Sequence, residues 1–372
     1  MFGAPSLRIG RVFGIPIEVN ASWFLVFFIV AAGLATSYFP SALPELPASV
    51  HAVLAFATTL AFFGSIVVHE LAHSLVARAG GLRIARVTLF MFGGVSQMEE
   101  EPRSPLRELA MALAGPATSF VLGCAGLAVL RAFGDRMPGP LHVPLEYLTF
   151  INFSVAAFNL LPGFPLDGGR VLRAILWGAT KDLLKATRWA SRMGQAIGYA
   201  LVAAAVLGVL RGALDAIWLA IMGWFISILA ANAYAQQLVR ARLARVVLAD
   251  VMSSPVVTVP ADTPLSEVAE AYVLGGRHSR YPVVSDGRVV GLVDLQSVRR
   301  VPRDAWPTTT IGDIAMHDVA QVVAAPAATV ESVLSKMEPD GPGAVLVVED
   351  GRLAGIVTRA DIIRVLRSLP EA

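Results

Sequence analysis

A single cysteine, Cys124, in a chain of 372 residues excludes an intramolecular disulfide. Charge is also scarce. Asp, Glu, Lys and Arg make up 16% of the chain against 55% hydrophobic residues, too apolar for one soluble domain and typical of a membrane protein. Lysine is nearly missing, 3 residues against 27 arginines, a compositional hint of a GC-rich bacterial genome. No basic stripe interleaved with aromatics occurs, which sets nucleic acid aside as a partner.

What is present is a series of long apolar runs. Six candidate spans fall at about 20–39, 52–77, 106–132, 145–166, 196–211 and 213–236, several long enough to cross ~30 Å of hydrocarbon. The fifth is short, and its boundary with the sixth lies near Arg211-Gly212. No cleavage site stands near the start of the first span, which is therefore expected to remain as an anchor. Basic residues crowd one set of loops: Arg8 and Arg11, then Arg78 to Arg107, then Arg170 to Arg192, then Arg240 to Arg245. The opposite loops offer only Arg131, Arg136 and Arg211. The positive-inside rule then places both termini in the cytoplasm of a cell whose plasma membrane holds the protein. The net charge of +2 divides unevenly. Residues 1–248 hold 19 Lys and Arg against 12 Asp and Glu, and residues 249–372 hold 11 against 16. The acidic remainder has the composition of an ordinary soluble module.

Inside the second span lies His69-Glu70-Leu-Ala-His73. On a helix this spacing puts both imidazoles one turn apart on the same face, with the acid beside them. Three polar side chains on a membrane helix are costly, and a shared divalent cation with a water gives a reason for them. A catalytic zinc usually takes three protein ligands, so a third is needed at similar depth. His51 and His142 sit at the far ends of their spans. Asp167 is better placed, in Asn159-Leu-Leu-Pro162-Gly-Phe-Pro165-Leu-Asp167-Gly168-Gly169-Arg170 at the cytoplasmic end of the fourth span. Two prolines and three glycines there break a helix, and broken backbone at membrane depth is tolerated where it lines a cavity. Arg170 and Arg173 read as anchors at the cytoplasmic interface.

These two motifs resemble the site-2 protease family of intramembrane zinc metalloproteases. The resemblance extends to Leu89-Phe-Met-Phe-Gly93-Gly94-Val95 and to Ala114-Gly115-Pro116, and covers roughly residues 10–235. It implies one Zn2+ per chain on His69, His73 and Asp167, with Glu70 as general base. It also implies that Asn159 holds the substrate carbonyl or oxyanion and that Gly93-Gly94 lies beside the site in a short hairpin or loop. Ser119 departs from the asparagine many members carry after Gly-Pro. A helical substrate must unwind before cleavage, and the Phe92–Gln97 segment is expected to pair with the unwound strand.

Residues about 249–367 contain an internal repeat. Pro282-Val-Val-Ser-Asp286-Gly287-Arg-Val-Val-Gly291-Leu-Val aligns with Leu346-Val-Val-Glu-Asp350-Gly351-Arg-Leu-Ala-Gly355-Ile-Val at an offset of 64. Each copy reads strand, Asp-Gly turn, strand, helix. This resembles a tandem pair of cystathionine-β-synthase-type (CBS) domains, a family that implies clefts for adenine nucleotides. In the second copy Thr358 would face phosphate and Asp361 the ribose hydroxyls of ATP or AMP. The first copy has Asp294 and Ser297 in their places, which would repel phosphate and lose the ribose acceptor. Between spans 2 and 3 there is room only for a short loop, so no PDZ domain is inserted.

The expected architecture is a polytopic α-helical membrane protein of about six transmembrane helices followed by a cytoplasmic α/β CBS pair. Residues 1–245 form the protease domain and 246–372 the CBS domains, at about 247–303 and 308–368. The expected activity is zinc-dependent intramembrane endoproteolysis of transmembrane protein or peptide substrates. Its partners are the lipid bilayer and a second copy joined through the CBS domains. A CBS-regulated transporter or channel is the alternative, and it leaves Glu70 between two histidines without a purpose. A catalytically dead regulator is a third reading, against which the intact Glu70 stands.

Overall fold

The computed structural model describes residues 6–91, 93–98, 102–268, 280–316, 322–337 and 343–368. It divides into two compact units, Met1–Ala235 and Gln236–Ala372. The termini themselves lie outside the described residues.

The first unit holds helices α1 (Ala21–Ala42), α2 (Ala48–Ala79), α3 (Pro105–Phe133), α4 (Gly139–Asn159), α5 (Asp167–Thr180) and α6 (Leu183–Leu210), and the greater part of α7 (Ile217–Leu243). All but α5 are long and apolar enough to cross a membrane, six in number among the described residues. Their outer faces are apolar and uncovered, with Phe28, Val53, Phe120 and Trp224 more than half exposed. Lipid is the solvent that suits them. Local signals set the helix starts. The Asn20 carboxamide accepts from Ser22 N at α1, Ser104 caps α3, and Asp182 caps α6.

Two spans differ from expectation. The fifth begins at Leu183, not near 196, and runs 28 residues. Its first turns carry Lys185, Arg188 and Arg192, which hydropathy alone assigns to a loop. The fourth stops at Asn159 instead of continuing to 166. After a seven-residue turn the chain starts α5, whose 14 residues span only ~21 Å and cannot cross the bilayer.

Strands β1 (Ser6–Val12), β2 (Ile15–Asn20), β3 (Ile84–Phe90) and β4 (Gly93–Met98) form a sheet in that order. β2 and β3 run parallel, with Ile17 beside Val87, and the outer pairs are antiparallel. Ile15, Ile17 and Val87 bury against Leu71 of α2. The sheet is therefore seated on the turn of helix that carries the two candidate histidine ligands.

Arg173 is a correction. Far from snorkelling to the interface, it is 6% exposed on α5, and its guanidinium bonds Glu108 of α3, which is 1% exposed. Its Cζ also lies 5.2 Å from the centre of the Phe164 ring. A charge buried at this depth must be paired. Hydropathy could not reveal the pair, because its partners are 65 residues apart. The contact ties α5, and with it Asp167, to α3.

The second unit contains two copies of one motif. The first is β5 (Val259–Pro260), β6 (Arg280–Ser285) and β7 (Arg288–Asp294), and the second is β8 (Val323–Ala324), β9 (Ala344–Glu349) and β10 (Arg352–Thr358). Every strand of the second copy is offset by 64 residues from its counterpart in the first. Asp286-Gly287 and Asp350-Gly351 turn with positive φ at both residues, the hairpin geometry that matches strand twist. The segments leading into the copies are exchanged. Ser253 bridges Ile356 of the second copy, and Met316 bridges Leu292 of the first.

Arg173→Met removes the counter-charge from buried Glu108 and should cost about 3–5 kcal/mol. The double variant Glu108→Leu/Arg173→Met should recover most of that loss, read as thermal unfolding in detergent.

Candidate metal centre

The α2 helix delivers His69 and His73 as the sequence spacing requires, and α5 delivers Asp167 at its first residue. The three ligand atoms form a near-equilateral triangle. His69 Nε2 and His73 Nε2 are each 3.2 Å from Asp167 Oδ2 and 3.2 Å from one another. Asp167 also sits where a helix N-terminus favours negative charge.

The outer nitrogens hold the rings in place. His73 Nδ1 lies 2.7 Å from the backbone carbonyl of Met111, and since a carbonyl only accepts, Nδ1 carries the proton. His69 Nδ1 lies 2.8 Å from Ser119 Oγ, a hydroxyl that can either donate or accept, so this contact orients the ring whichever nitrogen carries the proton. When both rings carry a single proton, on Nδ1, two Nε2 lone pairs face the carboxylate. In that tautomer three acceptors 3.2 Å apart repel unless a cation lies between them. Ligands at 2.0–2.1 Å from a tetrahedral zinc stand about 3.3 Å apart, so the donor set and its spacing fit that ion. Among the described residues this is the one cluster of three or more His, Cys, Asp or Glu side chains able to hold a metal.

Two glycines make the approach possible. A Cβ on Gly115 of α3 would stand 2.1 Å from His73 Nε2 and 2.5 Å from His69 Nε2, so α3 meets both imidazoles through bare backbone. A Cβ on Gly94 of β4 would stand 2.3 Å from Glu70 Cγ, so the β3–β4 hairpin lies directly on the Glu70 side chain. Glu70 is half-buried there and stays outside the ligand triangle. Gly93 has φ +130°, a left-handed backbone at the hairpin's turn that favours glycine. Phe92, the first residue of the segment expected to pair with an unwound substrate, lies outside the described residues. Asn159 closes α4, with its Nδ2 donating to Val155 O at 3.0 Å.

The turn between α4 and α5 is pinned. Phe164 N donates to Ala190 O of α6, and the Phe164 ring packs on Ala190 and Ala230. Together with the Glu108–Arg173 pair, this fixes where α5 begins. Sequence reasoning missed three contributors: Ser119, the Met111 carbonyl and the Glu108–Arg173 pair. Ser119 was visible only as a departure from the family pattern. A backbone carbonyl leaves no trace in residue identity.

In the second unit, Asp361 is 3% exposed. Its Oδ2 accepts from Thr358 N and Thr358 Oγ1, and its Oδ1 accepts from Ser253 Oγ and pairs with Arg364. Thr358 and Asp361 are thus brought together, with the carboxylate held by its own motif. In the first copy Asp294 accepts from Ser297 N and Oγ. Burial pushes the Asp294 carboxyl up, but those bonds and the nearby Arg280 outweigh it and hold the group below the ordinary carboxylate range. A fixed negative charge thus stands where the second copy has a hydroxyl.

The chain matches peptidase family M50 over residues 57–138 and 134–205, and the CBS domain family over 248–304 and 311–368. It is 34% identical to the Rip3 protein of Mycobacterium tuberculosis over 365 residues, 97% of this chain and 93% of that protein. It is 30% identical to a zinc metalloprotease of Methanocaldococcus jannaschii, over 98% of this chain and 97% of that one. Among solved structures it is similar to the site-2 protease of the same archaeon, at 31% identity, TM-score 0.43, and coverage of 62% of this chain and 95% of that one.

Replacing Ser119 by Ala should weaken zinc binding about 10–100-fold, the usual cost of losing a partner of a metal-bound histidine. Gly115→Ala should abolish it by displacing both rings. Chelator competition followed by metal analysis reads both variants.

Proposed function

The chain belongs to peptidase family M50, the site-2 proteases, and carries a tandem CBS pair; from that premise we propose that it cuts other membrane proteins in or beside their transmembrane segments, near the cytoplasmic face. It is a zinc-dependent metalloendopeptidase of the membrane. One observation carries the reading: His69, His73 and Asp167 converge on one point while Glu70, adjacent in the helix, is covered by a strand edge. A transporter or channel would explain the CBS pair and leave that convergence without a purpose.

When bound, zinc supplies a Lewis acid that polarises a carbonyl and lowers the pKa of water towards neutrality. Glu70 takes a proton from the attacking water and returns it to the leaving amine. Asn159 turns its amide from Val155 O to the developing oxyanion. The β4 strand lies at the edge of its sheet, and its outer backbone groups receive the unwound substrate strand. Gly94 brings that strand close enough for Glu70 to reach the scissile bond.

The basic loops support a cytoplasmic placement of both termini and of the CBS pair, in the plasma membrane of a bacterium. His69 then lies ~13 Å of helix from Arg78 at the cytoplasmic end of α2. With residues 1–245 as the protease, residues 246–372 report adenine nucleotide and join two protomers. ATP or AMP would enter at the second copy, where Thr358 meets phosphate and Asp361 exchanges Ser253 and Arg364 for ribose hydroxyls. The charge on Asp294 disfavours phosphate in the first copy.

Glu70→Gln should keep its zinc and lose about 10²–10⁴-fold in cleavage of a transmembrane test substrate; cleavage at the parental rate would refute the assignment. Gly94→Pro should impair cleavage with zinc content intact. Equilibrium binding of ATP and AMP to the full chain should weaken in Thr358→Ala and Asp361→Ala, and saturable binding indifferent to both would place the nucleotide elsewhere.

A further inference from the structure

The first strand of the membrane unit is exposed at every residue and interleaves Leu7, Ile9 and Val12 with Arg8 and Arg11. Leu7 is 62% exposed, Ile9 58%, and Phe13 at the hairpin tip 65%. In an antiparallel pair, directly opposed residues share a face. Leu7 opposes Val19 and Val12 opposes Ile15, so Leu7 and Val12 belong to the same face as Ile15, Ile17 and Val19. That face is buried along β2, where Ile15 and Ile17 pack on Leu71 of α2. Along β1 it continues uncovered. The opposite face carries Arg8, across from Glu18, and Arg11, across from Pro16.

Topology supplies what covers it. β2 runs directly into α1 through the Asn20 cap, and the tip is strapped to α2 by Arg78 Nη1 donating to Phe13 O at 2.7 Å. α1 crosses in one direction and α2 returns, so the start of α1 and the end of α2 emerge on one side of the membrane. The hairpin is tied to both ends and lies at the boundary between hydrocarbon and water. There an apolar face is buried and arginines reach phosphate. Arg8, Arg11, Arg78, Arg83 and Arg86 gather around the hairpin and the adjoining end of α2, against Glu18 alone among the acids of β1, β2 and β3. The partner that matches is an anionic lipid headgroup layer.

We propose that the β1–β2 hairpin is an interfacial lipid anchor, with Leu7 and Val12, the tip residue Phe13 and the exposed Ile9 at the bulge between Arg8 and Gly10 seated at the headgroup–acyl boundary, and Arg8 and Arg11 on anionic headgroups. Its consequence lies at the other edge of the same sheet. Seating β1 in lipid fixes the depth of β4, and so the level at which a substrate strand meets Glu70.

The test uses the full chain in a Cys124→Ser background, with an environment-sensitive fluorophore at Ile9→Cys, Phe13→Cys or, as a reference in the CBS unit, Arg352→Cys. Each protein is reconstituted one per nanodisc in phosphatidylcholine, with or without phosphatidylglycerol. Zinc content equal to the parent's identifies variants that keep the fold. Labels at 9 and 13 should show blue-shifted emission, quenching by headgroup-level nitroxide lipid and protection from aqueous iodide; the label at 352 should show the reverse. Phosphatidylglycerol should enlarge the shift, and Arg8→Gln/Arg11→Gln should remove that increment. Iodide quenching at 9 and 13 equal to that at 352 would overturn the anchor. Protection from both quenchers would overturn it too, because protein and not lipid would then cover the face. A shift indifferent to phosphatidylglycerol would overturn the anionic headgroup assignment.

Discussion

His69 Nε2, His73 Nε2 and Asp167 Oδ2 meet at 3.2 Å in a largely buried place. With no proton or cation between them, three acceptors at that distance repel each other, and each belongs to a side chain free to rotate in the unfolded chain. The arrangement is held by its surroundings: one ring on Ser119, the other on the Met111 carbonyl, and the carboxylate at the first residue of a helix clamped by Glu108 and Arg173. A cation then converts the repulsion into the reason the three belong together. The α3 helix recurs in each restraint. It carries Glu108, Met111, Gly115 and Ser119, and so serves as the wall against which the other two elements are set.

The small sheet is the second element on which chemistry depends. Its inner strands bury on the zinc-bearing turn of α2, and its β4 edge lies on Glu70 through Gly94. An edge strand normally invites unwanted pairing. In the proposed reaction the edge strand beside Glu70 would receive the substrate, since an unwound segment must satisfy its backbone groups somewhere.

The CBS unit shows how two copies of one motif diverge while the backbone is kept. Strands, turns and bulges repeat at a fixed offset, and the segments leading into them are exchanged. One divergence falls on side chains at the helix start: Thr358 and Asp361 in one copy, Asp294 and Ser297 in the other. In both, the aspartate accepts hydrogen bonds from its own motif. The difference between the copies is therefore one of charge placement, with the acid moved three residues along the chain.

Much of this was legible beforehand because it depends on local periodicity. The His69-Glu70-x-x-His73 spacing places two rings on one helical face in any context, and the 64-residue repeat with its Asp-Gly turns specifies paired hairpins. Six apolar runs specify six spans, since hydrocarbon leaves the backbone little choice. The limits of the fourth and fifth spans were not legible, because arginines in the first turns of α6 and an amphipathic α5 defeat a hydropathy reading. Nor was the buried role of Arg173, whose partner is 65 residues away. The sequence by itself determined which residues could hold a metal and which could move a proton. Only the tertiary structure decided the orientation of the rings, the convergence of Asp167 on them and the cover over Glu70. Those depend on a backbone carbonyl, a buried ion pair and two glycines whose use is close approach.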